Sequence, residues 1–271
     1  MKKSGNHANV NGLKMYYEVY GKCKLLLLLP GAFSGISTAL GKLISLLAAE
    51  RQVIAAEFQG YGHTTDIPER PLSYEQLTDD VIEFLRVLDV PQTDIFGYST
   101  GAGVALQVAM RKPTVVRKLI LASVSIKSSG HHPDLKTLFS PEFMEKALEG
   151  SPYHREYLNA GKSPGDWSRQ LDKIRAFEQK EQDWPVDEIR TIKAPALIVA
   201  GDADIVQAEH VLALYKLLGG GSLGELSMPV SQLAILPGTI HTALIQKTDL
   251  LMAMIPGFLN PEEEQGALPT S

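Results

Sequence analysis

The 271-residue chain has a single cysteine, Cys23. No intrachain disulfide can form, so cystine staples are excluded as its source of stability. Cys23 stands beside the run LLLLL and is expected to be a small buried hydrophobe. A basic surplus is also missing. Lys and Arg number 26 against 31 Asp and Glu, a formal charge of −5. That balance offers little to neutralise phosphates and argues against a nucleic-acid partner. No apolar run approaches the about 20 residues of a membrane span. The opening MKKSGNHANVNG has two lysines but no apolar stretch behind them. A signal peptide is therefore not expected, and a cytoplasmic location is. No His, Cys or acidic residues stand at metal-ligand spacing, so neither metal nor cofactor is expected. Repeats are absent. What remains is an ordinary globular composition, 44% hydrophobic and 21% charged, long enough for a real core.

The pattern along the chain is an alternation of strand and helix. HANVNGLKMYYEVYG reads as two strands around an Asn11-Gly12 turn. LLLLL is short, continuously apolar and closed by Pro30-Gly31, as a parallel strand buried on both faces would be. Ile36, Leu40, Leu43 and Leu47 then follow a helical period, and RQVIAAEF reads as a strand. Ser73 and Gln76 predict a capping box at the head of a helix carrying Leu77, Val81, Phe84, Leu85 and Leu88 on one face. DIFGYS, RKLILASVSI, PALIVAGDAD and QLAILPG continue the strands, with helices at 101–112, 207–218 and 242–259. Residues 219–230 read as a Gly-rich surface loop and 261–271 as a frayed tail. The alternation breaks between residues 127 and 190, where SPEF and SPGDW are Ser-capped, Pro-first helix starts. The fold class is α/β: a doubly wound, mainly parallel sheet with a helical cap insertion. The expected division is a core of residues 1–126 and 191–271 and a cap of residues 127–190, lying over the ligand-binding edge of the sheet.

Gly97-Tyr98-Ser99-Thr100-Gly101 matches G-x-S-x-G between a strand and a buried helix. A serine on so sharp a turn needs neighbours without Cβ atoms, and the turn pushes its hydroxyl out at the top of the sheet. The helix that begins there offers free N–H groups to an anion. A serine hydroxyl also needs a base and an orienting carboxylate. Asp202 and Asp204 follow one later strand and His241 follows the next, giving the order Ser, Asp, His. The remaining histidines are weaker candidates: His7 and His154 are in polar surroundings and His210 is within a helix. His131 and His132 are expected in solvated loop, with a pocket lining as the alternative, and His63 could face the site without acting as base.

With these motifs the chain resembles the α/β-hydrolase family over essentially its whole length. The resemblance implies Ser99 as nucleophile, His241 as base and Asp204 as acid, with Asp202 holding the turn backbone. It implies the backbone N–H groups of Thr100 and Ala32 as the oxyanion hole. At this loop the chain departs from the family, which usually has His-Gly where this sequence has Pro30-Gly31. An acidic residue often stands in the family near the position of Gln59. Phe33, Tyr98, Phe139, Phe143, Trp167 and Trp184 are the candidate pocket walls. The implied activity is cleavage of a carboxylic ester of a small or medium apolar acyl group through an acyl-enzyme. Lactone, thioester or C–C bond hydrolysis on the same residues is an alternative. A different class, a receptor-like member that binds a small molecule without turnover, rests on the Pro30 departure. The expected partner is a small-molecule ester; the sequence leaves the oligomeric state open.

Overall fold

The computed structural model describes residues 4–224 and 226–260, apart from the side chain of Glu142. The tail expected at 261–271 lies outside the described residues. Eight strands among the described residues form one sheet: β1 (Ser4–Val10), β2 (Leu13–Tyr20), β3 (Leu25–Leu29), β4 (Gln52–Ala56), β5 (Thr93–Tyr98), β6 (Val116–Ala122), β7 (Ala196–Ala203) and β8 (Gln232–Ile240). Their spatial order is β1-β2-β4-β3-β5-β6-β7-β8. β1, β2 and β4 pair antiparallel, and every other ladder is parallel. The β1–β2 hairpin turns at Asn11 and Gly12, both with positive φ, which suits an Asn-Gly pair.

The leucine run shows how the sequence builds two layers. Strand side chains alternate faces. Leu27 and Leu29 therefore join one core with helices α2 (Tyr74–Val87) and α3 (Thr100–Arg111), while Leu26 and Leu28 join the other with α1 (Ile36–Leu47). All four are fully buried, each contributing about 2 kcal/mol relative to exposure. Cys23 differs from expectation. It is exposed, in the turn before β3, with φ of 81°. The strand starts only at Leu25, so the reversal of the chain, not the core, claims that position. The capping box at α2 is half formed. Ser73 accepts the Gln76 backbone N–H, but the Gln76 side chain reaches forward to Asp80.

Between β6 and β7 lie α4 (Leu135–Leu138), α5 (Pro141–Leu148), α6 (Pro152–Asn159), α7 (Pro164–Glu178) and α8 (Val186–Arg190). Ser140, Ser151 and Ser163 each cap a helix whose first residue is proline, and Asp166 completes a capping box with Ser163. This segment has a small core of its own around Met144, Tyr157, Trp167 and Leu171. After α9 (Ala208–Leu217), the helix expected over 242–259 is broken into α10 (His241–Leu244) and α11 (Thr248–Leu259). Among the described residues no helix is long and apolar enough to cross a membrane.

Candidate active site

Four neighbouring parallel strands each end one residue before a polar side chain. β5 ends at Tyr98 and delivers Ser99. β6 ends at Ala122 and delivers Ser123. β7 ends at Ala203 and delivers Asp204, and β8 ends at Ile240 and delivers His241. The ladders fix their alignment, with Tyr98 opposite Ala122 and Ala203 opposite Ile240. The C-terminal edge of an open α/β sheet is where ligands bind.

Ser99 has φ of 55° and ψ of −120°, a strained conformation for a residue with a Cβ. Its N–H donates to the Ala122 carbonyl at 2.8 Å, and its carbonyl accepts from Ala102 and Gly103. The flanking glycines are sterically required. A Cβ on Gly97 would meet the Gly101 carbonyl oxygen at 2.3 Å, and one on Gly101 would meet the Leu29 carbonyl oxygen at 2.3 Å.

The structure brings the three expected side chains together. Ser99 Oγ lies 3.0 Å from His241 Nε2, and His241 Nδ1 lies 2.8 Å from Asp204 Oδ1. A proton on Nδ1, donated to the carboxylate, leaves Nε2 free to accept the serine O–H. The Asp204 side chain is fully buried and also accepts the N–H groups of Ile205 and Gly201. Burial raises its pKa, but hydrogen bonds and charge from His241 and the hydroxyl of Ser123 outweigh this and hold it below the usual carboxylate value. Asp202, two residues away, instead accepts the backbone N–H groups of Gly238 and Thr239, as expected of it.

Ser123 is a participant that the sequence reading missed. Its hydroxyl donates to Asp204 Oδ1 at 2.8 Å and lies 2.8 Å from His241 Nδ1. The signal was its place at the end of a strand, which a common serine does not advertise. Like Ser99 it has a positive φ, 56°.

The loop after β3 runs over Ser99. A Cβ on Gly31 would lie 3.1 Å from both Ser99 Cβ and the Tyr98 ring. Among the described residues no hydrogen bond occupies the backbone N–H of Ala32 or Thr100. Phe33, with φ of 68°, stacks on Phe139 at 6.3 Å between ring centroids. Tyr98 is buried against His241. Its ring stacks on His241 at 5.2 Å and its hydroxyl donates to the His241 carbonyl.

A cleft of about 800 Å³ lies between α2, α7 and the chain from Ser128 to Phe139. Phe139 and Trp184 line it, and so do His131 and His132. Phe143 and Trp167 are not in its lining, and neither are Ser99, Asp204 and His241. Phe143 is 44% exposed, and Trp167 is buried in the small core between β6 and β7, stacked on His154. His63 packs on Tyr16 near Glu57, and His210 accepts the Ile126 N–H, its pKa pushed down to about 4 chiefly by burial. Gln59 is fully buried and hydrogen-bonds to Asp66 and Arg70. Among the described residues no group of three or more His, Cys, Asp or Glu side chains could hold a metal.

Comparison with known proteins gives the family of the fold. The chain is 26% identical over 262 residues to mouse (Mus musculus) serine hydrolase BPHL, covering 92% of this chain and 84% of that one. It is 22% identical over 283 residues to pyrrolizixenacetamide deacetylase of Xenorhabdus hominickii, covering 95% and 99%. Among solved structures, a meta-cleavage product hydrolase from Pseudomonas fluorescens IP01 superposes with a TM-score of 0.78 at 19% identity, covering 94% of this chain and 97% of that one. The profile of the Alpha/beta hydrolase family matches residues 26–239. With that match across most of its length, the chain belongs to the α/β-hydrolase family.

Proposed function

We propose that the chain is a serine hydrolase that cleaves a carboxylic ester of a small or medium apolar acyl group through an acyl-enzyme. The observation that carries this is the unbroken line of contacts from Ser99 Oγ through His241 to Asp204. In this reading His241 Nε2 takes the Ser99 proton as Oγ attacks the carbonyl carbon. The free N–H groups of Ala32 and Thr100 receive the oxyanion, each such donor supplying about 10²–10³ in rate. The imidazolium, stabilised by Asp204, gives its proton to the leaving alcohol. Water then attacks the acyl carbon as His241 takes its proton, and that proton passes to Ser99 Oγ as the Oγ–acyl bond breaks and the acid is released. Residues 127–190 act as the cap that shapes the pocket.

The test is covalent labelling by a fluorophosphonate, with mass spectrometry to locate the adduct, beside a panel of esters, lactones and thioesters. Labelling at Ser99 and ester turnover lost in Ser99→Ala are expected. Folded protein that takes no label and turns over no substrate would favour the receptor-like alternative. A lactone or thioester preferred over every ester would move the reading within the same chemistry.

A further inference from the structure

One acid in the cleft has no place in the proposed reaction. Glu178 closes α7 and lines the cleft with Tyr74, Phe177 and Trp184. Among the described residues nothing makes a hydrogen bond or ion pair with its carboxyl. Burial lifts its pKa to about 7. It is nonetheless only half-buried by exposed area, because it opens onto the cleft. A carboxyl held this way without a partner is unfavourable unless something in the cleft answers it.

The walls indicate what that is. The Tyr74 ring centroid lies 4.9 Å from that of Phe177 and 5.0 Å from that of Trp184, so three aromatic rings stand together beside the acid. Aromatic faces attract cations, most strongly where water is excluded. The lining carries the carboxyls of Glu75, Glu178, Glu181 and Asp183 against the ammonium groups of Lys136 and Lys180. His131, also in the lining, does not offset this. Burial and the neighbouring His241 depress its pKa and favour its neutral form. Ser99, Asp204 and His241 do not line the cleft, and two of its side chains link it to them. Phe139 in its wall stacks on Phe33 of the loop over Ser99, and His131 lies close enough to His241 to feel its charge.

We propose that this cleft is a subsite for an alkylammonium group of the substrate, with Glu178 as its counter-ion and Tyr74, Phe177 and Trp184 as its aromatic walls. The inference rests on the ester-hydrolase reading and narrows the substrate to an ester with a protonated or quaternary amine beyond the scissile bond. A neutral group of equal size would leave the acid unanswered.

The test compares aminoalkyl esters of graded spacer length with neutral isosteres in which a carbon replaces the ammonium nitrogen. In the wild type, kcat/KM for the best aminoalkyl ester should exceed that of its isostere about thirtyfold. Glu178→Gln should bring that ratio close to one, mainly through KM. Trp184→Leu, which keeps the charge, should lower the ratio about fivefold. A wild-type ratio of one or less, or a ratio that Glu178→Gln leaves unmoved, overturns the proposal. If no ester of either kind is cleaved, the ester reading fails, and calorimetry with n-butylammonium decides the subsite separately. Binding that Glu178→Gln abolishes supports it, and absence of binding by the wild type overturns it.

Discussion

The strand-end rim and the helices between β6 and β7 are held in place by different means. At the rim the backbone does the positioning. Ser99 N–H is fixed to Ala122, Ser123 N–H to Val199, and the Asp204 carboxylate to two amides of its own turn. The helical segment meets the sheet domain through backbone bonds at its base, such as His132 N–H to Ile205 and Trp184 N–H to Ile126, and elsewhere through side chains. Glu156 on α6 accepts the N–H groups of Gly35, Ser37 and Thr38 at the head of α1. Gln170 reaches the Gln59 carbonyl, and Lys173 pairs with Asp66. The strand-end geometry thus depends on close backbone approach, while many contacts beneath the helical segment are ones that substitution can exchange singly. A fold organised this way can keep one chemistry and vary its substrate.

The most severe test of this contrast separates two aspartates only two residues apart. Asp204→Asn should lower kcat on an ester about 10⁴-fold, because the amide favours the wrong histidine tautomer. Asp202→Asn keeps an oxygen for only one of the Gly238 and Thr239 amides, which bind different carboxylate oxygens, but leaves the Asp204–His241 contact in place and should cost less than about tenfold. Comparable losses at both positions would mean that the turn as a whole, rather than the Asp204–His241 contact, carries the activity.

Glycines sharpen the comparison on the scale of stability. A Cβ on Gly101 would meet the backbone oxygens of Leu29 and Pro30 at 2.3 and 2.5 Å, and neither can give way. Gly101→Ala should cost about 3 kcal/mol or more by denaturant unfolding. Gly165, in the first turn of α7, would place its Cβ no nearer than 3.8 Å to Ser163 Oγ. Gly165→Ala should leave stability unchanged or raise it by about 0.5 kcal/mol. Equal destabilisation at the two sites would erase the distinction between a backbone-built rim and a substitutable helical segment.

Smaller in effect is Ser123→Ala. Loss of the hydroxyl removes one donor from Asp204 and should lower kcat about tenfold with little change in KM. The consequence for acid stability has a definite sign. The Asp204 carboxyl is depressed in the folded state, so its stabilisation is present above its ordinary pKa and is lost as pH falls through the folded value. With one donor gone that value rises, and the acid-unfolding midpoint should move to higher pH. An unchanged midpoint would make Ser123 a bystander.

The same division explains what could be read from the residues alone. Ser99, Asp204 and His241 stand at the junctions where strand periodicity stops, and a junction is visible in sequence. The paired serine and proline helix starts were visible for the same local reason. Ser123 also sits at a strand end, but with no glycine bracket to mark it. Phe143 and Trp167 were expected in the wall because they are aromatic. Whether an aromatic on a short helix faces the cleft, a neighbouring helix or water depends on how several helices pack, and no local pattern encodes that. Glu178 was missed for the complementary reason. A charged residue closing an amphipathic helix reads as surface, and only the packing of Tyr61, Tyr74 and Phe177 around it makes it otherwise.

Glu178 therefore supplies the finest test, one that needs no substrate. Its folded pKa of about 7 lies above the value of about 4.3 expected in an unfolded chain. The folded state then holds the proton more tightly, so stability declines as pH rises from about 4.3 towards 7 and levels off above. Glu178→Gln removes this dependence. Relative to the wild type, the variant should gain stability between pH 4 and pH 8, by about 1 kcal/mol once water in the cleft is allowed for, or about 2 °C in Tm. Adding n-butylammonium at pH 8 should narrow the gap, since only the ionised carboxylate of the wild type has a use for the cation. Parallel curves for the two proteins across that range would make Glu178 an ordinary solvated acid, and the cleft would lose the one feature that distinguishes it chemically from the rest of the helical surface.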